Sequence, residues 1–192
     1  MSELERREGG PIAEELARRV KLVVFDVDGV LTDAGVYLGV TAQGDPVELK
    51  RFDIQDGLGM KLLEEAGIRV VIISGRVSVA NRVRARELGM ELHEDDAAQK
   101  LPVVHGLMEE MGIGWEEVAM LADDVPDLSV FGHVGLKAAV SNATPLVASM
   151  ADWHTTRGGG HGAAREFCDA LLTARGQLDE VVEAYVRERT RP

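Results

Sequence analysis

The sequence predicts an α/β protein built as a single doubly wound parallel sheet, and three observations carry that prediction. Short runs rich in β-branched residues, Leu22 to Phe25, Val70 to Ile73 and Val118 to Leu121, have the length and all-apolar character of strands buried on both faces. Segments with helical spacing of apolar residues alternate with them, which implies parallel strands joined by crossover helices. A chain of 192 residues holds one such domain with a sizeable core and is too short for two. The expected division is an N-terminal tail and short helix over 1–19, the sheet domain over 20–175 with a flap at about 33–52, and a C-terminal helical tail over 176–192.

Residues 1–10 read as a frayed tail, and Pro11 to Arg19 as a short amphipathic helix leading into the first strand. That strand stops at Asp26, with Asp28 and Gly29 following at once. Alternation through Val36, Tyr37 and Leu38 and again from Val47 to Phe52 predicts two strands; Thr41 to Pro46 carries turn chemistry between them, giving a β-hairpin flap directly after the first carboxylates. Leu58, Leu62, Leu63 and Ala66 have helical spacing, with Gly67 as the stop, and Val77 to Leu88 is a second helix stopped at Gly89. Pro102 to Met111 is a third, with Lys100 at its start and Gly112 at its end. Asp127 to Phe131 begins a fourth helix, and Val134 to Val140 supplies another strand. Beyond Ala151 come a short edge strand, Trp153 to Thr156, a flexible glycine-rich loop from Arg157 to Gly162, a helix from Ala163 to Ala174, and an exposed helical segment from Gln177 to Glu188.

Composition narrows the function. The formal net charge is −12 and no Lys/Arg stretch interleaves with aromatics, which argues against a nucleic-acid partner. An acidic protein acting on an anion must concentrate positive charge locally, and a metal with Lys100, Arg76 and Arg84 would do so. The single cysteine, Cys168, lies in an apolar helical stretch, is read as a buried thiol, and suits a reducing cytoplasm. The charged N-terminus has no signal-peptide core, and no segment has the length of a membrane span.

The chemistry sits at strand ends. The first strand ends in Asp26 and Asp28, the second in Ser74-Gly75-Arg76, and the third, after Ala122, in Asp123-Asp124. In open α/β sheets ligands collect at these carboxyl ends. Two carboxylates as close as Asp26 and Asp28 repel, so one takes a proton or both share a cation. With Lys100 added, the set comprises a nucleophilic carboxylate, a hydroxyl donor, a fixed cation and spare carboxylates for a metal, the requirements of phosphoryl transfer. Bland alternatives exist for each member, such as acids in a surface turn or Ser74 as a helix cap, but three matching strand ends weigh against them. His93, His105, His133 and His154 lack metal-ligand spacing, and Trp115 and Trp153 are read as packing anchors.

The blocks FDVDGVLTDAGVYLG, FDIQDGLGMKLLEEAGI, IISGR, ADDVPDLSVFGHVGL, RGGGHGAAREFCDALL and ARGQLDE, in this order and spacing from about Val20 to Glu180, resemble the haloacid dehalogenase superfamily of aspartate-dependent phosphatases. Within it they are similar to the small, capless 3-deoxy-D-manno-octulosonate 8-phosphate (KDO 8-phosphate) phosphatases. The resemblance implies Asp26 as nucleophile forming an aspartyl-phosphate and Asp28 as acid and base. It implies Mg²⁺ on Asp26, Asp123 and the main-chain carbonyl of Asp28, with Asp124 orienting Lys100 or a metal-bound water. Ser74 and Lys100 would hold phosphoryl oxygens, and Asp127 is read as a cap of the following helix. Basic groups facing the sugar acid map to Lys61, Arg76 and Arg84, and a contact loop maps to Asp53, Gln55, Asp56 and Gly57, with Gly75 and His161 completing the set.

The chain departs from the pattern at Asp53, where Asn is usual, and at Gln55, where Arg is usual, so a bidentate carboxylate clamp is lost; His161 also replaces an Arg, and Ala122 a Gly. Three alternatives follow: a phosphatase of another sugar-acid phosphate such as a nonulosonate 9-phosphate, a receiver-like signalling module, and a catalytically idle partner domain. Receivers place the acidic pair early and the acceptor on a middle strand, the reverse of the order here, and the intact strand-end residues count against an idle domain. The resemblance also implies a homotetramer in which hairpins pack against neighbours and a neighbouring subunit completes the pocket.

Overall fold

The first strand, β1 (Leu22–Phe25), is buried along its whole length, which is why it reads as an uninterrupted apolar run. Residues 9–190 are described by the structure, a computed structural model. The remaining elements are α1 (Glu14–Arg19), β2 (Tyr37–Val40), β3 (Pro46–Leu49), α2 (Ile54–Glu65), β4 (Arg69–Ser74), α3 (Val79–Leu88), β5 (Glu91–Glu94), α4 (Lys100–Met111), β6 (Val118–Ala122), α5 (Leu128–Phe131), β7 (Leu136–Ala139), α6 (Pro145–Met150), β8 (Trp153–His154), α7 (Ala163–Ala174) and α8 (Leu178–Arg189). Six strands form one parallel sheet in the order β5-β4-β1-β6-β7-β8, while β2 and β3 pair antiparallel as a separate hairpin.

In that order β1 lies between β4 and β6, and the chain winds outward from it in both directions. The switch point therefore falls at the carboxyl end of β1, where α/β sheets open a crevice. Successive strand residues face opposite layers. Val23 and Phe25 pack with Met60 and Leu63 of α2 and Phe167 and Leu171 of α7. Leu22 and Val24 pack with Val104 and Leu107 of α4, Phe131 of α5 and Val147 of α6. Cys168 is buried among the first set, and burial pushes its thiol pKa up.

Two elements have no counterpart in the sequence pattern. All four residues of β5 are half-buried at a sheet edge, so neither an apolar run nor an alternation marks them. Helix α6 is a six-residue helix opened by Pro145. The ends also differ from expectation. The expected tail over 1–8 lies outside the described residues, but Gly9 donates to the His154 carbonyl at 3.0 Å and the Trp153 indole donates to the Gly10 carbonyl at 2.6 Å, so residues 9 and 10 are tied to β8 rather than frayed. Helix α8 seats Val181 in the core, and Arg175 just before it donates to the carbonyls of Ala17 at 2.8 Å and Val20 at 2.9 Å.

The glycine-rich loop, expected to be flexible, is packed. Gly160 donates to the Val30 carbonyl at 3.0 Å, Gly159 donates to Asn142 Oδ1 at 2.7 Å, and Asn142 Nδ2 donates to the Gly29 carbonyl at 3.5 Å. A Cβ at Gly159 would collide with that same carbonyl. Glycine serves here for close backbone approach, and the loop braces the segment after β1 from behind. Gly159→Ala is therefore expected to cost about 1–3 kcal/mol of stability, read from the urea midpoint, as overpacking typically does.

Candidate active site

The carboxyl ends of β1, β4 and β6 and the first turn of α4 surround a pocket of about 170 Å³. Asp26, Asp28, Gly75, Arg76, Lys100 and Asp123 line it, with Asp124 and Asp127. The turn after β1 brings two of these acids together. Gly29 adopts φ 102°, and a Cβ there would overlap the Asp123 carboxylate, so only glycine lets the β6 acid close on β1.

At the centre the Lys100 ammonium, 2% exposed, bonds the Asp26 carboxylate and, at 2.5 Å, that of Asp127. Carboxylate oxygens of Asp26, Asp123 and Asp127 all lie within 4.8 Å of one another. Three carboxylates against one lysine leave two negative charges uncompensated. Burial, reinforced by Asp127 and only partly offset by Lys100, pushes the Asp26 carboxyl up to about 7. Burial, then repulsion from Asp26, Asp127 and Asp124, pushes Asp123 up to about 8. For Lys100 burial works against the charge, but Asp26 and Asp127 outweigh it and hold the ammonium protonated. Hard oxygen donors carrying this surplus of charge fit a divalent cation such as Mg²⁺.

Asp124 and Asp127 exchange the positions expected of them. Asp124 is exposed, and its carboxylate accepts from the Val125 N–H at 2.7 Å, capping the turn that follows β6. Asp127, one turn further on, is 1% exposed; it holds Lys100 and accepts from the Asp123 N–H at 3.2 Å. The turn between them rotates the later acid inward and the earlier one to the rim. Their order in the chain does not reveal this.

Ser74 is buried beside the pocket, its hydroxyl donating to the Arg76 carbonyl at 3.0 Å and accepting from the Arg76 N–H and from Asn81. The Asp28 carboxylate meets Lys50 of the hairpin base at 2.7 Å and lies 3.9 Å from Arg76. Arg76 in turn pairs with Glu48 at 2.9 Å. Neither Lys50 nor Glu48 carries a signal in the sequence, because only docking of the hairpin brings them to the pocket.

The other expected substrate contacts do not line this pocket. Asp53 caps α2 by accepting from the Gln55 N–H at 2.8 Å. Asp56 is buried and caps a different helix, accepting from the Arg165 N–H of α7 at 2.8 Å; burial raises its carboxyl to about 6. Gly57 lies where a side chain would strike Leu88 and Arg84. Arg84 donates to the Asp53 carbonyl at 2.9 Å and pairs with Glu87 at 3.0 Å, so it clamps α2 to α3. Lys61 is half-buried on α2 and lines neither the strand-end pocket nor the hollow around Gln55. His161 faces Arg51 at 3.3 Å. Gln55 accepts from Arg157 at 3.3 Å in a separate hollow of about 410 Å³, larger than the strand-end pocket but without Asp26 and Lys100.

A doubly wound parallel sheet with an aspartate and lysine paired at its switch point is the arrangement of a haloacid dehalogenase-like hydrolase, and the family model of that description matches residues 90–167. Among curated relatives, the 3-deoxy-D-manno-octulosonate 8-phosphate phosphatase KdsC of Escherichia coli (strain K12) is 38% identical over 174 residues, spanning 89% of this chain and 90% of the relative. The chain belongs to this family. Among solved structures, the 3-deoxy-D-manno-octulosonate 8-phosphate phosphatase from Yersinia pestis superposes with a TM-score of 0.80 at 36% identity, covering 88% of this chain and 91% of that one. The corresponding phosphatase from Moraxella catarrhalis, solved in complex with a magnesium ion, a phosphate ion and KDO, gives 0.80 at 35% identity, covering 90% and 97%.

The raised carboxyls set a pH dependence. Asp26 and Asp123 keep their protons in the folded chain to about pH 7 and 8, against an ordinary aspartate value of 3.8. Between about pH 4 and 8 the folded state therefore binds more protons than the unfolded state, and stability falls as pH rises. In EDTA the melting temperature is expected to decline across that window, and a saturating divalent cation should remove most of the decline. An EDTA profile that rises across the window would contradict the charge assignment.

Proposed function

We propose that the protein is a Mg²⁺-dependent phosphomonoester hydrolase acting on KDO 8-phosphate through an aspartyl-phosphate on Asp26. The observation that carries this is the buried Asp26–Lys100 pair at the end of β1, with Asp28 beside it and Asp123 across from it, in a family whose relatives carry that name. The Moraxella protein bound to magnesium, phosphate and KDO supports the choice of metal and product class.

In this proposal the Asp26 carboxylate attacks phosphorus while the bond from phosphorus to the sugar oxygen breaks, and Asp28 gives its proton to the departing alcohol. Asp28 then takes a proton from the water that attacks the aspartyl-phosphate, releasing inorganic phosphate and restoring Asp26. Lys100 neutralises a phosphoryl oxygen, and the Ser74 hydroxyl rotates from the Arg76 carbonyl to donate to another. Asp127 keeps Lys100 in place. Asp26, Asp123 and the main-chain carbonyl of Asp28 would hold Mg²⁺, which would supply positive charge beside the transferring phosphoryl group. Arg76, on the pocket wall, is the cation for the carboxylate of the sugar acid. Gln55 and His161, standing where arginines are usual, favour a nonulosonate 9-phosphate as the second candidate substrate.

The assembly proposed is a homotetramer with the hairpin at its interface. Tyr37, Leu38, Val40 and Leu49 of the hairpin are 61–80% exposed, and Leu49 lines a groove with the exposed Ile54, Val79 and Val83, apolar surface of the kind that a second copy of the chain would cover. The proposed location is the cytoplasm, supported by a lone buried cysteine and by the absence, among the described residues, of any helix long and apolar enough to cross a membrane.

Asp26→Asn and Asp28→Asn are each expected to lower kcat on KDO 8-phosphate by about a hundredfold or more, and only Asp26→Asn should also abolish trapping of the phosphorylated enzyme. Wild-type turnover in Asp26→Asn would refute covalent catalysis, and faster turnover of a nonulosonate 9-phosphate would move the substrate assignment. Removing the hairpin tip, 41–46, should leave monomers or dimers in light scattering with a raised KM; a fully active monomer would refute the tetramer.

A further inference from the structure

Each acid of the Asp26–Asp28 pair has its own enclosed lysine. Lys100 serves Asp26, and Lys50, whose side chain has no exposed surface, serves Asp28. The Lys50 ammonium donates to Asn81 Oδ1 at 3.0 Å and forms ion pairs with Asp28 Oδ1 at 2.7 Å and Glu48 Oε1 at 3.6 Å, so its charge is held among three groups on three different segments. Asp28 Oδ1 is sealed from solvent and, among the described residues, has the Lys50 ion pair in place of any hydrogen bond, whereas the Asp28 side chain as a whole is 23% exposed. The open side of the carboxyl group is therefore Oδ2, which faces Arg76 across 3.9 Å at the pocket.

We propose that Lys50 is the positioning residue for Asp28, holding Oδ1 so that Oδ2 is the oxygen that exchanges protons with the departing alcohol and then with water. The proposal rests on Asp28 being the acid and base. In the first step the Oδ2 proton passes to the sugar oxygen as its bond to phosphorus breaks; in the second, Oδ2 accepts a proton from the attacking water. Lys50 follows the last residue of β3, and the hairpin base is locked by Glu48, which accepts from Ser78 Oγ at 2.7 Å and from Arg76 at 2.9 Å. Alignment of the proton-transfer group thus depends on the hairpin being docked. A mere strut would not need its charge on the catalytic carboxylate.

A leaving-group comparison separates alignment from support. In the full-length protein with saturating Mg²⁺, single-turnover release of the leaving group is measured for KDO 8-phosphate, whose alkoxide needs a proton, and for 4-nitrophenyl phosphate, whose phenolate does not. Lys50→Met is expected to slow sugar release by about a hundredfold while leaving the nitrophenolate burst and both KM values within about threefold. Asn81→Leu, which removes one anchor of the ammonium and keeps the lysine, should show the same selectivity to a smaller degree, and it decides the matter if Lys50→Met does not fold. Equal slowing on both substrates makes Lys50 a strut and overturns the proposal, as does no slowing on either. Asp28→Asn is the control. Selectivity there but not in the Lys50 and Asn81 variants sinks the positioning role alone; no selectivity in Asp28→Asn sinks the acid and base assignment and the Lys50 proposal with it.

Discussion

Three carboxylates confined within 4.8 Å with one lysine among them form the constraint around which this molecule is built. At an effective dielectric of about 20, two unit charges at that distance repel by about 3–4 kcal/mol. A cluster of this kind spreads apart unless the backbone under it is rigid, and β1 provides that rigidity. It is the central strand, buried on both faces and hydrogen-bonded in register to β4 and β6. Without a metal, protons on Asp26 and Asp123 relieve the excess negative charge, and it is this unsettled charge that makes the site a receptor for a divalent cation rather than a settled ion pair.

Rigidity continues past the strand by contacts distant in sequence. The turn from Asp26 to Thr32 is fixed internally by the Thr32 hydroxyl, which donates to the Val27 carbonyl at 3.2 Å and accepts from the Gly29 N–H at 3.3 Å. Behind it stand Asn142, Gly159 and Gly160, and the loop that carries these glycines is anchored by α7, whose N-terminal N–H of Arg165 is capped by Asp56 from α2. Asp56 and Gly57 thus serve the site at a remove. Asp56 seats the helix that anchors the loop behind Asp26, and Gly57 lets α2 pack closely on α3.

What could be read from the chain and what could not divides along the same physical line. Strands β1, β4 and β6 were legible because a strand buried on both faces must be apolar throughout, and the polar residues that end such a run stand out against it. Strand β5 was not, since its Glu91-Leu92-His93-Glu94 is half-buried at an edge and resembles a loop. The inward turn of Asp127 in place of Asp124 depends on a turn geometry that composition does not specify. Glycine supports both mobility and close approach, and the run Gly158-Gly159-Gly160 looks the same for either. Lys50 and Glu48 were invisible because the hairpin reaches the pocket only through tertiary docking.

The chemistry and the selectivity of the proposed function stand on different parts of the fold. Asp26, Asp123 and Lys100 sit on strand ends and the first turn of α4, held by the core, whereas Arg76 stands in the turn after β4 and is already occupied by Glu48 of the hairpin. In the proposed reaction the carboxylate of a sugar acid meets Arg76 by replacing one carboxylate with another, so the arginine never loses its charge partner. A neutral sugar phosphate has no group with which to make that exchange, and Glu48 would keep the cation. Discrimination of this kind arises from competition inside the protein and needs few dedicated contacts, so in the proposed reaction a chain with Gln55 and His161 at those positions would still favour an acidic sugar.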